Sequence, residues 1–388
     1  MAGGTRSYEF ARRLVEHGHQ VHMVTGDPAG VRERTSTECG IVVHWLPVPY
    51  GNAMSYRRRL WSFLSFVCRS AIVAGRLRHD VVFATSTPLT VAIPGAYAAW
   101  RRRVPMVLEV RDVWPELPIA LGALRSPVSR WAAHRLEAWA YRRSAHVIAL
   151  SPGMAASIRR RFPRVPVTVV PNSSDRALFA DADRAGESLR RATPWLQDRP
   201  LVLYAGSLGL ANGVDYLARM AARLAATDPD VRIAILGDGR MRNEIRDLAG
   251  GLGVLDRNFF MLGAVSKAEV VAFFGACDLA TSLFVNIREL GDNSPNKVFD
   301  AFAAGRPVGV NHGGWIAELL AESGAGLALP PDDPEGAAGA VSAFLRDPAA
   351  VTAARTAAFE LARDRFDRDL LFQDFERVLT EAVAHAGR

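Results

Sequence analysis

Short apolar strands alternate with helical patterns along almost the whole chain, and this alternation constrains the fold more than any other feature. Such a pattern is typical of a parallel sheet whose strands are joined by helices packed on its faces. The chain shows two successive cycles of it. The first predicts strands at 20–25, 80–85, 105–110, 146–151 and 167–171, and the second at 201–206, 232–237, 259–263, 278–284 and 306–311.

Two cycles in 388 residues predict two α/β domains, because a single hydrophobic core rarely grows beyond about 250–300 residues. We predict an N-terminal doubly wound, Rossmann-like domain at 1–172, a connector at 173–198, a second Rossmann-like domain at 199–360 and a closing helix at 361–388. A helix over 6–17 follows Gly3 and Gly4 without a preceding strand. We therefore expect that the first strand, about 10 to 15 residues, is missing or replaced by another segment.

The positive charge is concentrated in the first half of the chain. Residues 1–172 carry 24 Lys and Arg against 10 Asp and Glu, whereas the remainder carries 23 against 30. Such a surface suits an anionic partner, and residues 55–75 join three consecutive arginines to Trp61, Phe63 and Phe66, as in a helix that lies in a membrane interface. A core helix with a basic start and a solvated arginine-rich surface are the alternatives. No nucleic-acid motif accompanies the arginines, so we expect no nucleic-acid partner.

The cysteines and histidines argue against disulfides and metal sites. Cys39, Cys68 and Cys277 lie far apart without paired spacing, and the nine histidines lack ligand spacing. The sequence contains no signal-peptide pattern and no run of roughly 18 to 20 apolar residues. We expect a metal-independent cytoplasmic protein, either free or peripheral on the inner face of the cell membrane.

The segment GDNSPNKVFDAFAAGRPV at 291–308 carries the strongest candidate site. Ser294 followed by Pro295 predicts a helix N-cap and a proline at the first helical position. The unpaired N–H groups of Asn296 and Lys297, the helix dipole and the Lys297 charge would then attract a diphosphate.

Two carboxylates flank this helix start. Asp300 lies one turn beyond Lys297, where it can accept both hydroxyls of a ribose, and Asp292 in the preceding loop can reach sugar hydroxyls. The alternative is an N-capped helix with a surface ion pair.

Two strand-to-helix turns of the second cycle are candidates for backbone contact with a ligand. Gly206, Ser207 and Leu208 follow a predicted strand, and their backbone can approach a phosphate or a leaving oxygen. A tight structural turn is the alternative. Gly237 and Asp238 follow the next strand and are a weaker signal.

The two acids stand eight positions apart, followed by AFAAGRPV, and this region resembles the E-x7-E region of the family-four retaining glycosyltransferases of the GT-B fold. This chain has aspartate at both positions. Three further segments resemble one bacterial subgroup, which includes enzymes similar to the L-fucosamine transferases of surface-polysaccharide synthesis. They are GGTRSYEFARRLVEHGHQVHMVTG, LEVRDVWPELPIALG and LYAGSLGLANGVDYL. The resemblance covers nearly the whole chain.

The resemblance implies two Rossmann-like domains facing across a cleft, with a nucleotide sugar, UDP-linked, in the second. It implies that Asp300 holds the ribose, that Asp292 contacts the donor sugar and that Gly237 and Asp238 lie beside the base. Relatives place an Arg and a Lys in or after the Gly206 turn; here Lys297 would carry more of that charge. The remaining residues predicted to bind the donor are Asn293, Ser294, Asn296 and, from the first domain, Gly4 and Arg6.

In the first domain Arg111, Asp112 and Glu116 follow the strand at 105–110, at the edge where open α/β sheets bind ligands. By resemblance Asp112 binds the sugar or the acceptor, and a structural ion pair of Arg111 with an acid is the alternative. The predicted catalytic residues are thus Asp112, Asp292 and Lys297.

The function that the resemblance implies is retaining transfer of a hexosyl or N-acetylamino-sugar group from a UDP-sugar to an acceptor hydroxyl. The acceptor is lipid-linked or soluble, the process is surface-polysaccharide or glycoconjugate synthesis, and no cofactor is expected beyond the donor. The alternatives are a nucleotide-sugar epimerase or hydrolase on the same fold, and a non-catalytic partner that binds nucleotide sugars.

Overall fold

The computed structural model describes residues 5–27, 30–49, 54, 56–86 and 88–387, without the side chains of residues 56, 57, 59 and 60. Gly3 and Gly4 therefore lie outside the described residues. The chain divides into two compact units. The first is Met1–Pro171 together with Phe372–Arg388, and the second is Asn172–Leu371.

The first unit is built from two sheets and the helices that follow their strands. Its strands are β1 (His22–Asp27), β2 (Arg34–Glu38), β3 (Ile41–Pro47), β4 (Val82–Thr85), β5 (Met106–Val110), β6 (His146–Ala149) and β7 (Val167–Val169). Its helices are α1 (Arg6–Glu16), α2 (Tyr56–Arg76), α3 (Ala92–Arg102), α4 (Glu116–Ala120), α5 (Pro127–Arg143) and α6 (Pro152–Arg161).

The strand order explains where these helices lie. Among the described residues, β1, β3 and β2 form one sheet, in which β2 is antiparallel to β3, and β4, β5, β6 and β7 form a parallel sheet in sequence order. Because crossovers between parallel strands are right-handed, this order places α3, α5 and α6 on one face of the second sheet. Leu108 and Val147 belong to the core beneath these helices.

The second unit holds one parallel sheet with the order β10-β9-β8-β11-β12-β13. Its strands are β8 (Leu201–Ala205), β9 (Arg232–Leu236), β10 (Phe259–Gly263), β11 (Leu279–Ser282), β12 (Val308–Val310) and β13 (Gly326–Ala328). Its helices are α7 (Ala182–Ala192), α8 (Asp215–Thr227), α9 (Arg242–Gly251), α10 (Lys267–Ala276), α11 (Asn296–Ala303), α12 (Trp315–Ser323), α13 (Pro334–Leu345) and α14 (Pro348–Asp364).

A final helix, α15 (Arg368–Ala386), begins in the second unit and continues into the first. In the first unit, Phe372 and Phe375 place their rings 6.0 and 4.6 Å from that of Phe10 on α1. Phe375 also meets Phe83 of β4 edge-on at 4.9 Å. The end of the chain therefore contributes to the core of the first unit.

The prediction of two Rossmann-like α/β domains is confirmed, and every predicted strand is present. The sequence reading missed β13 and the β2–β3 hairpin, whose turn passes through Cys39 and Gly40 at positive φ. The segment at 173–198, predicted as a connector, contains α7, which packs on α10 in the second unit. None of the helices in the described residues combines the length and hydropathy needed to cross a bilayer.

Candidate functional site

The candidate site lies at the carboxyl edge of the sheet in the second unit. The turns after β8, β9 and β12 and the start of α11 belong to this edge, where open α/β sheets bind their ligands. The side chains and backbone groups gathered there decide what the site can hold.

Lys297 is a cation with no acidic partner in the part of the chain that the structure describes. Its Nζ lies 3.8 Å from the centroid of the Tyr204 ring, and no carboxylate oxygen in the described part of the chain lies within 4.0 Å of it. A Cβ at Gly206 would lie 2.7 Å from this Nζ, so the glycine makes room for the ammonium group. Burial lowers the pKa of Lys297 to about 7, because an apolar surrounding disfavours the charged form.

Asp300 stands one turn further along α11 and takes a different partner. The Ser174 hydroxyl donates a hydrogen bond of 2.7 Å to Oδ1 of Asp300. Burial raises the pKa of Asp300, while the Ser174 hydrogen bond and the Arg368 charge oppose the shift. Within the described residues Asp300 and Lys297 form no ion pair, so the surface ion pair considered from the sequence does not form.

The predicted N-cap role of Ser294 is wrong. α11 begins at Asn296 after Pro295, which has an extended backbone and gives no side-chain cap. The Ser294 hydroxyl instead accepts the backbone N–H of Asn172 at 3.2 Å, and its carbonyl accepts the side-chain amide of Asn172. In the described chain the backbone N–H groups of Asn296 and Lys297 have no acceptor, so they remain available to an anion.

The turn after β8 is partly used by the protein itself. The N–H of Gly206 bonds to the Leu236 carbonyl at 2.9 Å, and the N–H of Leu208 bonds to that of Asp238 at 3.0 Å. The Leu208 carbonyl accepts the N–H of Met241, and its side chain is fully buried. Leu208 is therefore a core residue, which corrects its prediction as a donor contact.

The two groups of this turn that can meet a phosphate are the N–H groups of Ser207 and Gly209, for which the described residues offer no acceptor. Ser207 is exposed, and its carbonyl is held by the Tyr204 hydroxyl and the Asn212 amide, each at 2.8 Å. The Tyr204 and Asn212 side chains therefore hold the turn in place through the Ser207 carbonyl.

The turn after β9 packs directly on the turn after β8. Gly237 has φ +132°, and a Cβ there would lie 1.9 Å from the Gly206 carbonyl oxygen. Asp238 is exposed and accepts the N–H of Gly239 at 2.7 Å. The glycine is required by close packing, and Asp238 keeps its second carboxylate oxygen at the surface.

Asp292 and Asn293 close the loop before α11, where Asp292 ends a 3-10 turn at Arg288–Asp292 and is partly buried. The Asn293 carbonyl accepts the indole N–H of Trp315 at 2.7 Å. The side-chain Oδ1 of Asn293 is buried without a hydrogen-bond partner among the described residues. A buried acceptor in this condition costs about 1–3 kcal/mol unless a ligand or water satisfies it.

His312, just after β12, was missed by the sequence reading. It is 6% exposed, its ring lies 4.8 Å from that of Phe284, and its Nδ1 is 2.9 Å from the Gly313 carbonyl. Its Nε2 has no partner in the described residues. Burial and the nearby Lys297 charge lower the pKa of His312. The only sequence signal was the run His-Gly-Gly directly after the predicted strand at 306–311.

The side chain of Arg6, predicted as a donor contact, is bound within the first unit. It is 5% exposed, and its Nε pairs with the fully buried Glu109 at 2.7 Å. Its remaining nitrogens donate to the carbonyls of Val170, at 2.8 Å, and Pro171. Arg6 therefore joins α1 to β5 and to the end of the first segment of its unit.

Asp112 lies partly buried in the loop after β5, and its carbonyl accepts the N–H of Trp114 at 2.9 Å. The ion pair in this region forms between Glu116 and Arg161, at 2.7 Å, and does not use Arg111. Arg161 also pairs with Glu137. Burial raises the pKa of Glu137 to about 7 despite the Arg161 charge.

Glu116, Glu137 and His134 bring ligand atoms within 4.8 Å of one another, a spacing that a metal ion can use. The Arg161 guanidinium, however, is paired with both carboxylates. A cation would have to displace this arginine, so the cluster fits an ion-pair network better than a metal centre.

Two Rossmann-like units in one chain are the arrangement of the GT-B fold. Residues 2–173 match the family described as "Glycosyl transferase 4-like domain", and residues 199–347 match "Glycosyl transferases group 1". The chain thus contains one domain of each of these two glycosyltransferase families.

Individual relatives agree with this assignment. The chain is 28% identical over 252 residues to α-D-kanosaminyltransferase of Streptomyces kanamyceticus. This match covers 63% of this chain and 62% of the relative, which is less than two thirds of the relative's length. Sucrose-phosphate synthase of Thermosynechococcus elongatus superposes with a TM-score of 0.79 at 16% identity, covering 99% of this chain and 94% of that one. HepE of Anabaena, solved with UDP and glucose, superposes with a TM-score of 0.69 at 20% identity, covering 88% of this chain and 87% of HepE. The two structures support the fold alone.

Proposed function

We propose that this chain transfers a sugar from a UDP-sugar to an acceptor hydroxyl with retention of configuration. The observation that carries the proposal is Lys297, a desolvated cation without an acidic partner among the described residues. It stands at the start of α11 beside the Gly206 turn, with a carboxylate one turn away. A diphosphate supplies the missing negative charge.

Each part of the donor has a candidate contact in the second unit. The diphosphate meets Lys297 and the backbone N–H groups of Asn296, Ser207 and Gly209. The ribose hydroxyls donate to Asp300, which Ser174 orients. The remaining assignments are Gly237 and Asp238 beside the base, and Asp292 and Asn293 beside the donor sugar.

The chemistry follows from this placement of charge. The acceptor hydroxyl attacks the anomeric carbon from the face that the diphosphate leaves, so the new C–O bond forms as the bond to the phosphate oxygen breaks. The proton of the acceptor hydroxyl moves to the departing phosphate oxygen. Lys297 and the start of α11 stabilise the charge that grows on the diphosphate, a role for which we propose neither a metal ion nor another cofactor.

The proposed donor and acceptor rest on the similarity of this chain to known proteins. HepE of Anabaena is solved with UDP and glucose, and the S. kanamyceticus relative is named for transfer of an amino sugar. We propose a UDP-linked hexose or N-acetylamino sugar as donor. We assign contact with a lipid-linked or soluble acceptor to Asp112 of the first unit, and place the enzyme among the L-fucosamine transferase-like enzymes of surface-polysaccharide synthesis, in the cytoplasm.

Thermal shift with UDP, UDP-glucose, UDP-N-acetylglucosamine and GDP-mannose tests the donor site. A ligand at 100 times its dissociation constant adds about 2.7 kcal/mol to stability. We expect stabilisation by UDP and by at least one UDP-sugar. The proposal fails if none of the four probes stabilises the protein.

A donor-consumption assay with and without candidate acceptors separates the possible activities. Release of UDP that requires an acceptor supports transfer. Release without an acceptor indicates a hydrolase, conversion of the donor sugar without release indicates an epimerase, and binding without turnover indicates a non-catalytic partner.

A further inference from the structure

Three helices of the first unit lie side by side. α2 packs on α3, and α3 packs on α5. The α2–α3 contact is close at Gly75, where a Cβ would lie 2.9 Å from the Tyr97 ring. Arg101 of α3 also donates to the Gly75 carbonyl at 3.1 Å. The three helices therefore form one layer of neighbouring helices.

This layer exposes large apolar side chains that a folded protein usually covers. Trp61 of α2 is 73% exposed, Trp100 of α3 is 71% exposed and Trp131 of α5 is 65% exposed. Other exposed apolar residues on the same helices are Leu64, Ile72, Ile93, Tyr97, Val128 and Trp139.

The spacing of these residues shows that they form stripes. Ile93, Tyr97 and Trp100 follow the i, i+4, i+7 repeat of one helix face, and Trp61, Leu64 and Ile72 follow a similar repeat on α2. Exposed apolar stripes on neighbouring helices mark an interaction surface rather than chance exposure.

The positive charge of the same helices favours an anionic partner. Together α2, α3 and α5 contain eleven arginines and a single acid, Glu137, which is buried and paired with Arg161. Arg135, Arg142 and Arg143 are exposed on α5, and the Arg135 guanidinium lies 5.9 Å from the Trp131 ring. Tryptophan favours the headgroup layer of a bilayer, and arginine is attracted to anionic lipids.

We propose that the face defined by Trp61, Trp100 and Trp131 docks the first unit on an anionic bilayer. The docking face is wider than the sequence segment at 55–75. Phe63 and Phe66 of that segment are partly buried, and Phe66 lies near Gly26 of β1, so they contribute less to a surface contact. Trp100 and Trp131, which lie outside the segment, take their place.

The inference does not require sugar transfer, since docking is measured without a donor. Its consequence for the acceptor does rest on the proposed function: docking on a bilayer favours a lipid-linked acceptor over a soluble one.

Flotation of the full chain with vesicles tests the docking face. We expect flotation with vesicles of phosphatidylcholine and phosphatidylglycerol at low salt, and little with phosphatidylcholine alone. Trp100→Ser combined with Trp131→Ser should lower partitioning about tenfold or more, because each tryptophan loses buried apolar area. Neutralising Arg135, Arg142 and Arg143 with glutamine should lower it about fivefold per arginine, and high salt should do the same.

Matched variants elsewhere separate these effects from general loss of apolar surface or charge. Val31→Ser and Phe359→Ser remove exposed apolar side chains, and Arg223→Gln and Arg246→Gln remove exposed charges outside the three helices. These four should float as the unchanged protein does. Circular dichroism and UDP-induced thermal shift should be the same in every variant.

Three outcomes overturn the inference. The first is absence of flotation with anionic vesicles at low salt, and the second is flotation that the tryptophan pair and the control variants change equally. The third is a dimer in sedimentation that the tryptophan pair abolishes, because the face would then be covered by a second copy of the chain.

Discussion

Arg6 in the first unit and Lys297 in the second are both cations at the start of a helix, and sequence reasoning placed both beside a diphosphate. Their surroundings differ. Arg6 is bonded to the Glu109 carboxylate and to two backbone carbonyls. Lys297 rests on an aromatic ring without an acidic partner in the described chain, and burial lowers its pKa to about 7.

The contrast separates a buried cation that stabilises the fold from a cation that can bind an anionic ligand. Arg6 has its counter-charge within the fold, so a second anion would compete with Glu109. Lys297 bears a desolvation cost that the described protein does not compensate, and an incoming diphosphate can. Four experiments test this distinction.

The largest effect should come from Arg6→Met, which leaves the Glu109 carboxylate buried without its cation. We expect a loss of about 3–5 kcal/mol of stability, the range for removing one partner of a buried pair. Urea unfolding monitored in the first unit measures it. Adding Glu109→Leu should recover part of the loss, and full retention of stability in the single variant would contradict a structural role.

Lys297→Met should lower the turnover number about a hundredfold or more, because it removes charge that stabilises the leaving group. Its effect on UDP binding should exceed that on uridine binding. Lys267→Met, which changes the other lysine of the chain, is the control and should leave turnover near its original value. Equal losses for uridine and UDP would contradict the phosphate role.

Asp300→Ala should weaken UDP binding by about 1.5–3 kcal/mol, the range for hydrogen bonds to a charged group. Calorimetry gives the change directly. Ser174→Ala should have a smaller effect, because Ser174 only orients the carboxylate. An unchanged affinity in Asp300→Ala would remove this residue from the ribose site.

The smallest and most specific effect is proton uptake on binding. Above pH 7 free Lys297 is mainly neutral, and a bound diphosphate favours its ammonium form, which raises the pKa. At pH 8.5 UDP binding should therefore take up about one proton. Calorimetry in buffers of different ionisation enthalpy measures it. Uptake should vanish in Lys297→Met and with uridine, and persistence in Lys297→Met would assign the proton to another group.

The predictable part of the fold was the part encoded in local patterns. Apolar runs such as those of β5 and β8 identify a strand without tertiary information. The hairpin strand β2, Arg-Thr-Ser-Thr-Glu, is polar and largely exposed, so it has no apolar period to detect. β13 is three residues long and too short for a pattern to emerge.

The site was less predictable because its decisive contacts join distant positions. Ser294 has the local pattern of an N-cap, but Asn172, 122 residues away, binds its hydroxyl. Arg6 meets Glu109 at a separation of 103 residues. The partners of Lys297 likewise come from β8 and the turn that follows it. Residue type and spacing predicted these side chains as ligand contacts. Only the fold shows which of them are bound within the protein and which remain available to a ligand.

The route of α15 bears on how the chain folds during synthesis. The core around Phe10 is completed by Phe372 and Phe375, which leave the ribosome only after the entire second unit. The second unit, by contrast, is one uninterrupted stretch from Asn172 to Leu371. Although N-terminal domains generally fold first during translation, here the later unit is the first to have all its residues. The first unit therefore cannot complete the aromatic core around Phe10 until α15 has been synthesised.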